Sequence, residues 1–496
     1  MHYLQALLFA GSLAEGAAAM ALYPRQQSVL AAMLGNSSWS SGTAISYPNS
    51  TSFVDSTLRW DIYAPPSYQA VISPSTEGDV VQAVNLARQH DISFLATGGR
   101  HGYSTTLGEM QDGLAIDLTM LNTVIIDEDA AQLTIGPGVR FRDIFGPVYE
   151  AGFEIQTGTC SCVGMMGATL GGGIGRLHGI HGLILDALLS VRMVTADGQI
   201  VEASATTNPD LFWGIRGAGQ NFGIVISATY ELHPLTKGGV WTSADILFTP
   251  EKNVSYFETV EKMQPLPAEL TVETIMNYNG TLESPQLMLS LAYAGPKDEA
   301  IRAMKPILDL NPAYSLIKEI SWRDLSTQTT FLLDGPVCAD GQIYDVYAVN
   351  LRNFSVPTMV TSFEKMAQFW EEEPAGRNSV IVLETWPVQA ATAIPNDATA
   401  YPWRDATTYV MIQMRWDNVG DPVQGTADVL GPEIRSDMAA TSGYDDLTVY
   451  VNYAWGDETL EQIYGKEKLP RLAQLKAQYD PHNAFGFYHA LPTSYP

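Results

Sequence analysis

Basic side chains are scarce in this chain. Against 54 Asp and Glu there are 27 Lys and Arg, giving a formal charge of -27. A nucleic-acid backbone is held by clustered cations that displace counterions, so this balance argues against that partner. It disfavours an anionic membrane surface for the same reason. The excess is spread along the chain, apart from spots such as Glu371-Glu372-Glu373, and serves solubility. Cysteine is scarcer still, with only Cys160, Cys162 and Cys338, too few for a disulfide-built scaffold. No zinc spacing occurs. His178 and His181 lack an accompanying carboxylate cluster, so no metal is expected. No Gly-x-Ser-x-Gly elbow supports a hydrolase. After the N-terminus no apolar run is long enough to span a bilayer, and no internal repeat is visible.

What is present points to two domains, because 496 residues exceed the size at which one core stops growing. Residues 1–21 read as a cleaved export signal: a short n-region, an apolar stretch from Tyr3 to Leu13, then small residues around Ala17-Ala18-Ala19. Asn-x-Ser/Thr sequons at Asn36, Asn49, Asn253, Asn279 and Asn353 fit a secreted glycoprotein. A monomer is expected. An exported protein should not carry a free reactive thiol without reason. If Cys160 is bonded to a cofactor, Cys162 and Cys338 are either buried thiols or a loose pair.

Residues 22–63 are expected to pack outside the first domain, which runs over 64–236. Its opening unit is a strand at 70–72, a helix over 79–87 and a strand over 92–96. Strands follow at 113–117, 123–127 and 132–136, a helix over 140–151, and strands at 188–195, 200–203 and 224–232. Beyond Pro234 the pattern changes. Strands at 240–248, 287–294, 380–385, 409–416 and 448–453 alternate with helices over 253–263, 297–308 and 361–371. This predicts a second, α+β domain over 237–447, an antiparallel sheet with helices on one face. Residues 448–496, with a last helix over 469–477, complete the first domain's site.

Two glycine-rich turns each carry a candidate nucleophile: Thr97-Gly98-Gly99-Arg100-His101-Gly102 and Gly158-Thr159-Cys160-Ser161-Cys162-Val163-Gly164. Such turns suit backbone wrapped closely around a phosphate or ring. Two of them, about sixty residues apart, suggest one large cofactor touched from two sides. Neither they nor Gly171-Gly172-Gly173-Ile174-Gly175 has the spacing of a dinucleotide fingerprint or a Lys phosphate loop.

These segments make the chain resemble the berberine-bridge-enzyme-like FAD-linked oxidases, fungal members in particular, of the PCMH-type superfamily that shares the FAD-binding fold of vanillyl-alcohol oxidase. Phe212-Trp213-Gly214-Ile215-Arg216-Gly217, Asn221-Phe222-Gly223-Ile224-Val225, Tyr450-Val451-Asn452-Tyr453 and Tyr479-Asp480-Pro481-His482-Asn483 resemble further family motifs in the same order. The resemblance implies a two-domain α+β PCMH-type fold and FAD bound bicovalently, His101 through the flavin 8α-methyl and Cys160 through C6. Ser161 and Cys162 replace the family's Pro and Thr, so Cys162 is a rival for the second bond. Thr97, Gly98, Gly99, Arg100, Gly102, Gly164, Gly167, Gly172, Gly175, Gly223, Ile224 and Asn483 are expected to shape the cofactor site. Val163 stands where the family controls oxygen access, and valine there resembles oxidases.

The resemblance makes Tyr453 the catalytic base, with Glu384 as rival. A phenol near its free pKa of about 10 is a poor base unless its anion is stabilised, so a cation is required, and Arg404 and Arg415 are candidates. The expected reaction is oxidation of a small organic metabolite, with molecular oxygen reduced to hydrogen peroxide, in secondary metabolism. A second domain rich in Met, Tyr and Trp favours an aromatic or polyketide-like substrate. A secreted carbohydrate oxidase, a flavin-dependent dehydrogenase and a non-catalytic flavin-binding protein are the alternatives.

Overall fold

The computed structural model of the protein describes residues 30–496; the expected export signal lies outside them. The first domain opens as its pattern predicts, with strand Tyr68–Ser73, helix Glu77–Gln89 and strand Phe94–Thr97. Thr76 caps the helix by accepting from the Asp79 amide, which satisfies one of the free N–H groups of the first turn. Ala83, Val84 and Ala87 recur on its buried face. Both strands lie parallel to Gly113–Asp117, in a four-stranded sheet closed at the other edge by Ala44–Ser46. The chain leaves Phe94–Thr97 at its C-terminal end and enters the His101 loop, where α/β units place ligands. A second sheet is antiparallel, in the order Val124–Asp127, Gln132–Ile135, Ile224–Glu231, Leu188–Val194, Ile200–Ser204.

The second domain is a seven-stranded sheet, antiparallel throughout: Tyr314–Ser321, Val240–Phe248, Ser284–Tyr293, Leu270–Asn279, Val380–Thr385, Thr408–Trp416, Ile343–Leu351. Directly opposed residues share a face, so the register sorts the side chains. Ile246, Leu289, Thr274, Leu383, Val410 and Val349, apolar but for Thr274, fall in one line across six strands. They pack beneath helices that include Asn253–Met263, Lys297–Leu308, Val356–Glu372 and Val423–Ala440. The adjacent line on the opposite face reads Asp245, Ser290, Glu273, Glu384, Tyr409, Asn350. All six are buried. A polar line of this kind, turned toward the first domain, has to be answered by partners there.

Two expectations change. Residues 448–453 are not a strand: Val451–Tyr453 tightens into a 3-10 turn in which the Tyr453 amide donates to the Tyr450 carbonyl at 2.7 Å. Side chains three apart eclipse in such a turn, so Tyr450 and Tyr453 stand together, ring centroids 5.0 Å apart. Strands Leu270–Asn279, Tyr314–Ser321 and Ile343–Leu351 and the helix Val423–Ala440 are additional elements. Among the described residues no helix is long and apolar enough to cross a membrane.

Candidate active site

The two glycine loops meet. A Cβ on Gly99 would stand 2.5 Å from the Gly164 nitrogen, so only glycine allows the contact. Arg100 takes a left-handed conformation (φ 55°) and is held there by Asp117 at 2.9 Å and by the Leu58 carbonyl. His101 is thereby fixed beside the second loop. Its ring stacks on Trp60, which stacks on Tyr344. Burial, helped by the charges of Arg140 and Arg59, pushes the imidazole pKa down to about 3, so the ring is neutral.

Cys162 is not a free thiol. It forms a disulfide with Cys338, which removes it as rival to Cys160 for a cofactor bond and makes Cys160 the one free cysteine. The His101 Nε2 lies 3.2 Å from the Cys162 sulfur. A disulfide has no proton to give, so Nε2 is the donor in this contact and Nδ1 keeps its lone pair. Ser161 donates to Asp334 from both its amide and its hydroxyl, at 2.8 and 2.6 Å. The two positions that depart from the family motif thus both bind one short segment of the second domain, 334–338. Burial and the nearby carboxylates Glu273, Asp334 and Glu384 push the Cys160 thiol up to about 12.

A cavity of about 650 Å³ is bordered by both loops and by the polar face of the seven-stranded sheet. His101, Cys160, Val163, Glu384 and Tyr453 all line it. So do the expected cradle residues Thr97, Gly98, Gly99, Arg100, Gly102 and Gly164, with Gly167, Gly223 and Ile224. Gly172, Gly175 and Asn483 do not. Gly172 (φ 144°) is packed on Tyr401 and Tyr450, a Cβ on Gly175 would overlap the Thr157 carbonyl, and Asn483 turns the chain after the last helix at φ 55°.

The residues present fit a flavin dinucleotide. A Cβ on Gly167 would meet nothing within 4 Å and would project into this space. The Thr97 and Tyr103 hydroxyls, buried on the cavity wall, have no hydrogen-bond partner among the described residues. An imidazole and a thiol border the same space.

At the far wall Tyr453 donates to Glu384 at 2.8 Å. The cation expected beside Tyr453 is not there. Arg404 is buried against Asp186 at 2.8 Å, and Arg415 lies over the Tyr344 ring; neither is a hydrogen-bond or ion-pair partner of Tyr453 among the described residues. Burial and the Glu384 charge hold the phenol well above its ordinary range. Glu384 is itself raised to about 8, first by burial and then by Glu273. Glu273 is its cross-strand neighbour and has its own cation, Arg176 of the first domain, at 2.8 Å. Arg176 also reaches Thr329 and Thr330. Sequence reasoning missed Glu273, Arg176, Trp60 and Tyr344. Only the strand register could have placed Glu273 opposite Glu384.

Residues 68–204 match the FAD binding domain family and residues 449–492 the berberine and berberine-like family. FAD-linked oxidoreductase OXR1 of Pyricularia oryzae is 59% identical over 456 residues, covering 92% of this chain and 90% of that protein. Physcomitrella patens BBE-like 1 superposes with a TM-score of 0.81 at 23% identity, over 92% of this chain and 98% of that one. The glucooligosaccharide oxidase of Acremonium strictum, described with a 6-S-cysteinyl, 8α-N1-histidyl FAD, gives 0.78 at 22% identity over 91% and 98%. With its α+β two-domain architecture, its cavity between the two glycine loops and the sheet, and these relatives, the chain belongs to the fungal berberine-bridge-enzyme-like FAD-linked oxidoreductases and is an FAD enzyme.

Proposed function

We propose that the protein is an exported oxidase that converts an alcohol of a small secondary metabolite to a carbonyl, with dioxygen reduced to hydrogen peroxide. One observation carries this reading: the Tyr453–Glu384 hydrogen bond borders the same cavity as His101 and Cys160. FAD would be held by His101, through Nδ1, and by Cys160, as the Acremonium oxidase holds its own; it supplies a two-electron acceptor that dioxygen regenerates.

The chain supplies the proton transfer. Tyr453 takes the substrate's hydroxyl proton as its own passes to the Glu384 carboxylate, so the phenol relays and the carboxylate is the terminal base. No phenolate has to be stabilised, and no cation is required. A carboxylate raised to about 8 is matched to an alcohol far better than one at 4.5. The backbone N–H groups of residues 97–102 would receive the pyrophosphate, which suits a chain with few cations. Val163, on the cavity wall, would leave room for oxygen. Export fits the Cys162–Cys338 disulfide. Asn36, Asn49 and Asn353 are exposed for glycans, whereas Asn279 is engaged in its own hairpin turn.

The test is a peroxide-coupled assay of the yellow holoenzyme over primary and secondary alcohols, sugars included. Peroxide formed in step with carbonyl product supports the reading. Rapid flavin reduction followed by reoxidation that needs a quinone would replace oxidase by dehydrogenase.

A further inference from the structure

The face of the seven-stranded sheet that meets the cavity is layered along its strands. Beyond the line that holds Glu273 and Glu384, the next line on that face reads Met288, Ile275, Val382, Met411. All four border the cavity, and the layer is wholly apolar. Two residues further along the strands stand Asn277, Val380 and Gln413, and beyond Gln413 comes Arg415. At roughly 3.4 Å per residue, the amide layer lies about 14 Å along the strands from the carboxylates, with the apolar layer halfway.

The outer polar groups have unspent hydrogen-bonding capacity. The Asn277 Oδ1 is buried without a partner among the described residues, and its amide nitrogen reaches the Tyr278 carbonyl only at 3.5 Å. Among the described residues the Gln413 amide donates only to the Met411 thioether, at 3.7 Å. Arg415 lies over the Tyr344 ring and, among the described residues, has no ion pair. Its guanidinium borders the cavity. Arg404, Arg435 and Arg176 each have a carboxylate. Polar groups at a cavity wall without internal partners are placed to meet a ligand.

We infer that Asn277, Gln413 and Arg415 form a distal recognition layer for an oxygen acceptor, a carbonyl or carboxylate, at the end of the substrate remote from the oxidised carbon. The inference rests on the alcohol-oxidase reading above and narrows it. The substrate class is an elongated alcohol with an apolar, ring-bearing middle, seated on the thioethers of Met288 and Met411, and an oxygen-bearing tail. A short compact sugar, polar all round, would place hydroxyls against four apolar side chains.

The experiment uses holoenzyme and three aryl-methyl alcohols that carry, para to the reacting group, alkyl chains of equal length. The chains end in a methyl ketone, a carboxylate or a methyl group. A hydrogen bond from a charged donor predicts kcat/KM about 10–100-fold higher for either oxygen-ended chain than for the hydrocarbon, expressed in KM. Preference for the carboxylate over the ketone identifies charge as what Arg415 reads; equality identifies the acceptor lone pair. Arg415→Met is expected to collapse the preference to within about twofold, and Gln413→Leu to reduce it less. Equal rates on all three alcohols in the wild type, or a loss in Arg415→Met that is the same for all three, overturns the inference. If none is turned over, the alcohol-oxidase reading fails. The layer is then read from the three affinities by perturbation of the flavin absorption band. A tail preference lost in Arg415→Met upholds it, and no preference refutes it.

Discussion

Glu273 and Glu384 face each other across neighbouring antiparallel strands, and among the described residues only the first is ion-paired. Arg176 takes Glu273, while Glu384 receives neutral hydroxyl donors, Tyr453 at 2.8 Å and Thr159. After burial, the Glu273 charge is what raises Glu384. Glu273→Gln removes that repulsion and leaves Arg176 as a nearby positive charge. The ascending limb of kcat/KM against pH, expected near 8 in the wild type, should move roughly one unit lower. An unmoved limb in a correctly loaded variant would show that Glu273 does not act on the base.

Tyr453→Phe tests the relay from its other end. The ring and its packing on Tyr450 remain, but the hydroxyl between substrate and Glu384 is gone. The variant should load FAD normally and lose about 10²–10⁴-fold in kcat, the range of a general acid–base contribution. A loss confined to KM would mean that the hydroxyl binds substrate without moving its proton.

Attachment is separable from binding. His101→Ala and Cys160→Ser should each keep one covalent link, seen as FAD retained by the acid-precipitated protein and as the flavin mass on the remaining peptide. The double variant should release its colour into the supernatant. Flavin mapped within the Cys160 peptide to the Cys162 sulfur, by fragmentation, would contradict the disulfide as well as the assignment.

Much of this site was legible in the residue order, because it is built from local features. The His101 and Cys160 loops are glycine turns directly after predicted elements, and Tyr453 sits within a short aromatic run. What could not be read depends on register and on distant partners. Glu273 lies on a strand that the pattern missed, and its meaning appears only when Glu384 is found opposite. Arg404 looked free because Asp186, which neutralises it, is 218 residues away in sequence. The alternation at 448–453 read as a strand, but a 3-10 turn gives the same two tyrosines a common direction. The pairing of Cys162 with Cys338 across 176 residues was equally beyond local pattern.

That disulfide joins the loop carrying Cys160 to the segment over the cavity. Replacing both cysteines by serine removes a constraint on the unfolded chain and should cost about 2–4 kcal/mol in denaturant unfolding. The effect on the site should be separate. The Ser161–Asp334 hydrogen bonds remain, so the loop is still tethered and Cys160 should still accept flavin. A double serine variant that folds but no longer forms the Cys160 link would make the disulfide a requirement for attachment.

The buried base also sets a pH dependence of stability. Glu384 titrates near 4.5 when free and at about 8 in the folded protein, because burial and then Glu273 penalise its charge. The folded state therefore binds that proton more tightly than the unfolded chain. Its stabilising contribution is complete below about pH 4.5 and is lost as pH rises through about 8. Buried neutral histidines act oppositely: His101 and His178 are depressed to about 3 and His489 to about 4, which costs stability as acid charges the unfolded chain. In a comparison of wild type with Glu384→Gln those histidines are common to both and cancel. The variant should gain stability over the wild type steadily between pH 5 and 8, with little further gain above 8.5, in parallel denaturant titrations of the flavin-free proteins. A difference that is flat with pH would show that Glu384 is not held protonated by its surroundings, and the proton relay through Tyr453 would lose its acceptor of raised basicity.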